Sequence, residues 1–380
     1  DYHVIHHPSI HESVSYFLDY LPDNLLLVIA TRADPPWSLA RYRARNQLVE
    51  IRARDLRFTH LETAEFLDKT MSLDLPVEDV IALETRTEGW VAGLQLAAVA
   101  IQSHVSPPER GRVSAFIQAF SGSSLFVAEY LLEEVLLRQG EELRAFLLQT
   151  SLLERMSAEL CDAVTGRQDG QAMLASLNKL NLFIIPLDLE GRWVRYHHLF
   201  ADLLQARLEQ ELPADMITSL HKRAAAWYEE SGYIIEAVRH LLAAQAYEKV
   251  AVLVEEEARS MMFSGQTNTL RGWLADLPAA TLQAHARLQI YRLWIDLMQE
   301  KVSLSAHSLQ EKENMLRALP PSPENERLRV ELLAVLCRFV AFSGNSTRAI
   351  LLAEEALELL PEEEKALRAR AYSALAVAYW

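Results

Sequence analysis

Leu182-Phe183-Ile184-Ile185-Pro186-Leu187, then Glu190-Gly191, then Trp193-Val194-Arg195-Tyr196, reads as a β-hairpin. Two runs of β-prone residues flank a turn that contains glycine. The hairpin decides the fold of its surroundings because the residues before it carry helical periodicity, at 126–137, 141–153 and 172–180. Helices followed by a single hairpin predict a winged-helix module over 121–212, with a helix from 198 to about 212 leading out.

From 213 to the last residue, 380, the pattern is helical throughout. Short breaks fall at Ser231-Gly232, Leu277-Pro278, 320–323, Ser343-Gly344-Asn345 and Leu360-Pro361. The segment around Trp227-Tyr228-Glu229-Glu230-Ser231-Gly232 and the segment around Val340-Ala341-Phe342-Ser343-Gly344 each put a small-residue turn between paired helices. Such pairs predict a tetratricopeptide-like helical repeat array. Upstream of the winged helix, 59–120 reads as a helical subdomain. It opens on Thr59 with Glu62 three residues on, a capping-box pattern, has a helix begun by Pro76, and is punctuated at Gly89. Residues 1–58 read as part of an α/β domain. The continuous apolar run Leu25-Leu26-Leu27-Val28-Ile29-Ala30 and the shorter Leu48-Val49-Glu50-Ile51 have strand length, the first suited to a parallel sheet covered on both faces. The expected fold class is mainly α with a partial α/β nucleotide-binding portion.

The formal net charge of −15 repels phosphate backbones and makes this stretch a poor direct DNA reader. Two cysteines far apart in sequence, Cys161 and Cys337, lie in apolar helical contexts. They are expected as buried thiols, for which a reducing cytoplasm is the simplest compartment. No apolar run has the length of a membrane span, so no membrane partner is expected. The chain opens on Asp1 without an initiator methionine and closes on Trp380 inside a helical pattern; both ends read as cuts.

Several residues carry chemistry, each with a plainer alternative. Asp1, before Tyr2-His3, is either a surface acid or a holder of Mg2+ beside a nucleoside triphosphate. Arg32 follows the apolar run, where ligands sit in open α/β sheets; it is a phosphate reader or an exposed loop residue. Glu88-Gly89-Trp90-Val91-Ala92-Gly93 allows close backbone approach, for helix packing or for a lid over a purine ring. His197, in Tyr196-His197-His198-Leu199-Phe200, stands at a helix start and is a phosphate donor or a capping residue. His3, His6, His7 and His11 lack the partners of a zinc set, so no resident metal is expected there. The basic cluster Arg41, Arg43, Arg45, Arg52, Arg54 and Arg57 offsets the acidic balance or faces bound nucleotide.

Taken in order, these motifs resemble the STAND class of nucleotide switches, and most closely the large ATP-dependent LuxR-type transcriptional regulators. Asp1-Tyr2-His3 is similar to the end of their Walker B strand, and Ala30-Thr31-Arg32-Ala33-Asp34-Pro35-Pro36 to their sensor-1 segment. Thr87-Glu88-Gly89-Trp90-Val91-Ala92-Gly93-Leu94 is characteristic of these regulators, with Val91 where related switches carry Pro. Tyr196-His197-His198-Leu199 stands in the place of the Met-His-Asp motif of related proteins, with His198 departing from the Asp. The resemblance covers nearly the whole chain.

It implies ATP/ADP and Mg2+ as cofactors, with Asp1 as the Mg2+-linked catalytic acid, Arg32 reading the γ-phosphate, His197 binding the β-phosphate of ADP, and Gly89 and Trp90 near the nucleotide. It further implies a small-molecule or protein inducer at the repeat array, self-association in the ATP state, and DNA contact through a C-terminal helix-turn-helix beyond this sequence. No Gly-x-x-x-x-Gly-Lys-Ser/Thr loop occurs in the 380 residues, so the stretch alone is expected neither to hydrolyse ATP nor to bind nucleotide tightly. The alternatives are a helical-repeat interaction scaffold on a degenerate nucleotide platform, or the same switch joined to a different output domain.

Overall fold

The computed structural model describes residues 2–5, 7–22, 24–31, 34–104, 110–122, 124–298, 314, 317, 321–342 and 344–379. Helix dominates, and the chain divides into two compact units, 1–227 and 228–380. No described helix is long and apolar enough to cross a membrane.

The first unit opens with α1 (Pro8–Asp19), where the fixed φ of Pro8 suits the first helical turn, and with α2 (Leu39–Ala44). The two runs expected as strands do not form a sheet. Residues 25–31 and 47–52 form neither strand nor helix, and Leu26 and Val28 are 84% and 82% exposed. The bond from Tyr2 N–H to the Ala30 carbonyl, 3.0 Å, meets the first run at its end. A strand is stabilised by the ladder on either side of it, and no neighbouring strand lies beside these runs among the described residues. Their apolar pattern therefore does not convert into a sheet here.

The capping box is present at α3 (His60–Glu65): Thr59 N–H donates to Glu62 Oε2 at 2.8 Å, and Thr59 Oγ1 accepts from Glu62 N–H at 3.4 Å. Past α3 the coil widens by one residue, with Met71 N–H reaching the Phe66 carbonyl at 3.1 Å. Then follow α4 (Val77–Thr87), α5 (Val91–His104) and α6 (Arg110–Ala119). Leu83, Leu94, Ile101 and Ile117 are fully buried among them; each such side chain contributes about 2 kcal/mol through removal from water.

Next come α7 (Leu125–Leu131), α8 (Glu141–Thr150), α9 (Ala158–Thr165) and α10 (Gly170–Lys179). The helical context expected around Cys161 is present as α9, and its end signals are local. Ser157 Oγ accepts from Leu160 N–H at 3.3 Å, and Gly166 at φ 76° ends the helix. The hairpin is present as β1 (Ile184–Pro186) against β2 (Val194–Tyr196), antiparallel, with Ile185 opposite Arg195. Met156 adds a bridge to Val194 on the other side. The turn is longer than Glu190-Gly191 suggests. Asp188 holds it by accepting from the N–H groups of Arg192 and Trp193 at 2.9 and 3.0 Å, and Gly191 takes φ 66°. The helix α11 (His198–Glu211) leaves the hairpin and packs on α4, α7 and α8. Cys161 is buried in α9, and burial pushes its thiol well up, which makes it inert.

The helix α12 (Ala214–Glu230) crosses from the first unit to the second. The second unit holds α13 (Ile234–Ala243), α14 (Tyr247–Phe263), α15 (Thr267–Asp276), α16 (Ala279–Ala284), α17 (Ala286–Met298), α18 (Pro323–Phe342), α19 (Ser346–Leu359) and α20 (Lys365–Ala378). The small-residue turns lie where expected. Gly232 at φ 78° lets Tyr233 N–H close on the Tyr228 carbonyl at 2.8 Å, and Gly344 takes φ 84°. No side chain stands near Gly232, so what selects glycine there is the left-handed backbone and not space. The closest packing joins α18, α19 and α20, where Ala349, Ala353, Ala371 and Ala374 are fully buried and let the helix axes approach. Inside this unit the Glu331 carboxylate, 1% exposed, accepts from Arg259 at 2.8 and 3.0 Å and from Arg327 at 3.1 Å.

Candidate functional site

The end of α4 and the start of α11 are 110 residues apart in sequence and meet in the first unit. Two successive left-handed residues, Glu88 at φ 50° and Gly89 at φ 70°, turn the chain sharply out of α4. A Cβ on Gly89 would sit 2.4 Å from the Phe58 carbonyl oxygen, and Phe58 N–H donates to the Gly89 carbonyl at 2.8 Å. Both the dihedral and the space therefore demand glycine. Trp90 then starts α5 and lays its ring over Gly93, where a Cβ would come within 2.6 Å of Trp90 Cε3. The indole packs edge-on against Phe183, with centroids 5.2 Å apart, and contacts Tyr130 and His197 at 5.8 and 6.0 Å. In this conformation Trp90 joins helices through aromatic packing.

His197 caps α11. Its Nδ1 accepts from Leu199 N–H at 3.3 Å, so the proton lies on Nε2, which donates to the Thr87 carbonyl at 2.9 Å. The ring is 4% exposed, and burial lowers its pKa against the pull of Glu88, keeping it neutral. Gly122 completes the fit. A Cβ there would fall 1.6 Å from the Leu199 carbonyl oxygen, and its N–H donates to Asp202 Oδ2 at 3.0 Å. Only a residue without a side chain lets the first turn of α11 approach so closely.

Beside this contact lies a charged one. Arg195, on β2, gives Glu88 two parallel bonds: Nη1 to Oε1 at 2.8 Å and Nη2 to Oε2 at 3.0 Å. Arg57 Nη1 stands 3.4 Å from Oε2, and His198 N–H donates to Oε1 at 3.2 Å. The Glu88 side chain is 9% exposed. Burial opposes its ionisation, yet the bonds from Arg195 and from the His198 N–H outweigh burial and hold the carboxyl at about 2. A paired, hydrogen-bonded carboxylate of this kind fastens the helices before the winged helix to the hairpin and α11.

Of the residues picked from the sequence, Gly89, Trp90 and His197 are brought together here. Asp1 and Arg32 lie outside the described residues. Glu88, Arg57, Arg195 and Gly122 were not singled out as site residues, although the first three stand inside quoted motifs. The pairing of charges across 107 residues leaves no trace in one sequence. Among the described residues no cluster of three His, Cys, Asp or Glu side chains forms a metal site; His11 Nδ1 instead lies 2.8 Å from the Tyr2 hydroxyl.

Residues 132–216 match the family model of the MalT winged helix domain. Over 362 residues, 95% of this chain, the sequence is 32% identical to the HTH-type transcriptional regulator MalT of Serratia proteamaculans (strain 568), of which it covers 39%. The same identity and coverage hold over 361 residues for the MalT regulators of Yersinia enterocolitica and Yersinia pestis. The chain thus spans about two fifths of the length of the curated relatives it matches. Along nearly all its own length it is similar to the HTH-type transcriptional regulator MalT, and its centre matches the MalT winged helix domain.

Proposed function

We propose that this chain is the switching and sensing portion of an ATP/ADP-switched, inducer-responsive transcription activator. The observation that supports the reading best is the junction of the Glu88-Gly89-Trp90 turn with the start of α11, where Glu88–Arg195 and His197–Thr87 bonds hold the winged helix against the preceding helices. A resting state needs such a closed contact, and an activated state needs it to open.

In this reading Asp1 takes part in Mg2+ and water placement, Arg32 senses the γ-phosphate, and His197 carries the β-phosphate contact of the ADP state, with Gly89 and Trp90 beside the nucleotide. His197 reaches a phosphate only by giving up a bond it now makes, because both ring nitrogens are engaged within the protein. Release of Nε2–H from the Thr87 carbonyl frees a donor at the head of a fourteen-residue helix, whose positive end favours an anion. In the ADP state the imidazole passes from the Thr87 carbonyl to the β-phosphate, and the Glu88–Arg195 bonds keep the junction closed. An inducer bound on the helix pairs of the second unit biases the same equilibrium, self-association follows in the ATP state, and DNA is contacted by a helix-turn-helix outside these residues.

Amide hydrogen exchange on the protein that carries this chain tests the reading. Exchange at residues 87–90 and 197–200 is expected to differ between the ADP form and the form with a non-hydrolysable ATP analogue. Identical exchange in the two forms contradicts it.

A further inference from the structure

In the second unit, His285 stands alone between the end of α16 and the start of α17. Its N–H donates back to the Thr281 carbonyl at 3.2 Å, and its carbonyl accepts from Gln289 N–H at 3.3 Å. With φ −107° and ψ 88° it is the corner at which the chain leaves one helix for the next. Leu282 and Leu288, on either side of the corner, are buried, so its position fixes how both helices seat.

The imidazole reaches across to α14 and lies between two carboxylates. Nδ1 is 3.2 Å from Glu255 Oε1, and Nε2 is 3.1 Å from Glu248 Oε2. The ring and Glu255 are mostly withdrawn from water, at 17% and 18% side-chain exposure, while Glu248 is at 76%. A neutral imidazole has one N–H and one lone pair, and ionised carboxylates only accept. A neutral ring would therefore set a lone pair against a carboxylate oxygen in one of the two contacts. Only the imidazolium donates to both. Burial opposes its charge, yet the bond with Glu248 and the charge and bond of Glu255 outweigh burial and raise the pKa. Glu248 and Glu255 are the charged groups facing the ring from α14. The packed α16 carries no charged residue. On α17, Arg287 hydrogen-bonds to Tyr291, the residue on which Glu331 of α18 also acts. The charged residues of α15 are Arg271 and Asp276.

We propose that His285 is a proton-operated clamp, whose imidazolium pins the α16–α17 corner to α14 and whose neutral form releases it. Its direction is opposite to that of His197. The folded pKa lies above the ordinary 6.5, so the clamp's stabilisation is complete below 6.5 and lost as pH rises through the folded value. Proton loss leaves one N–H for two carboxylates, and one of the two contacts turns repulsive. The packing of the helix pairs thereby responds to pH, with no nucleotide or inducer involved.

NMR titration of the 380-residue chain with isotope-labelled histidine tests the clamp, the His285 signal being the one that His285→Gln removes. The ring is expected to titrate above 6.5, and at a lower pH in Glu248→Gln, whose exposed side chain leaves folding intact. Glu255→Gln should lower it likewise. Amide hydrogen exchange at residues 281–291, corrected for its intrinsic pH dependence, is the second readout. Protection there should fall severalfold as pH rises through the His285 midpoint, and in His285→Gln it should not follow pH. A midpoint at or below 6.5 overturns the proposal, as does a midpoint that Glu248→Gln leaves in place. So does protection that stays constant while the ring titrates, because the proton then moves nothing.

Discussion

Glu88 and Arg195 face each other across the junction in a two-bond pair of 2.8 and 3.0 Å, with the carboxylate almost wholly withdrawn from water. Removing one partner strands the other. Arg195→Ala is expected to destabilise the first unit by about 3 kcal/mol, near the lower limit for a broken buried pair because Arg195 itself keeps some exposure. In a double-mutant cycle, Glu88→Gln and Arg195→Met should couple by about 1–3 kcal/mol. Urea unfolding followed by circular dichroism measures both. Additive effects would mean that the pair bears no energy.

The pair also sets a pH response. The Glu88 carboxyl is held at about 2 against an ordinary 4.5. Its contribution is therefore complete above the unfolded value and lost as pH falls from 4.5 through 2. His197 adds to it in the same direction: its folded pKa lies below the ordinary 6.5, so protonation of the unfolded chain below 6.5 also costs stability. Unfolding midpoints measured at descending pH should fall in two stages, the first beginning near 6.5 and smaller in His197→Gln, with His221, whose pKa burial also lowers, carrying the rest. The second, below 4.5, should shrink in Glu88→Gln.

Glycine positions separate space from propensity. At Gly122 an added methyl group meets the Leu199 carbonyl at 1.6 Å, so Gly122→Ala must push α11 away from its neighbours, at a cost of about 1–3 kcal/mol. Gly272 lies within α15, exposed, with no atom close to an added Cβ. Gly272→Ala is expected to stabilise by about 0.5–1 kcal/mol. Thermal melts of the two variants should move in opposite directions.

In the second unit, Arg259 is the principal partner of the buried Glu331. Arg259→Met leaves that carboxylate with Arg327 and should lower the stability of this unit by about 3 kcal/mol. Replacing both with Met and Leu should recover much of the loss, since well-packed apolar groups can stand in for a buried pair. Chemical denaturation of the single and double variants distinguishes the two cases.

Much of the helical organisation was readable from local signals. The Thr59–Glu62 capping box, Pro76 before α4, the glycine turns at 232 and 344 and the hairpin after Leu182 each act over a few residues, and each is found in place. What was not readable depends on distant neighbours. The apolar run at 25–30 has strand composition but lacks flanking strands among the described residues, and composition alone cannot supply a ladder. Trp90 and His197 were visible as motifs, yet that they touch, and that the Thr87 carbonyl accepts from the imidazole N–H, is a product of tertiary packing. That Glu88, Arg195 and Arg57 meet was not legible, because a single sequence gives no measure of burial and no partner for a charge. Gly122 gave a weak signal within Ser121-Gly122-Ser123-Ser124, which reads as a loop and not as a close approach.

The central claim is that His197 restrains an inducer-dependent switch. Its most direct test is transcription from a target promoter, without inducer, by the protein that carries this chain with His197→Ala. The account predicts higher inducer-free transcription than wild type at equal protein abundance, because the residue proposed to hold the ADP-bound, closed state is gone. Basal transcription equal to wild type, from a variant shown to be folded and still inducible, would contradict it.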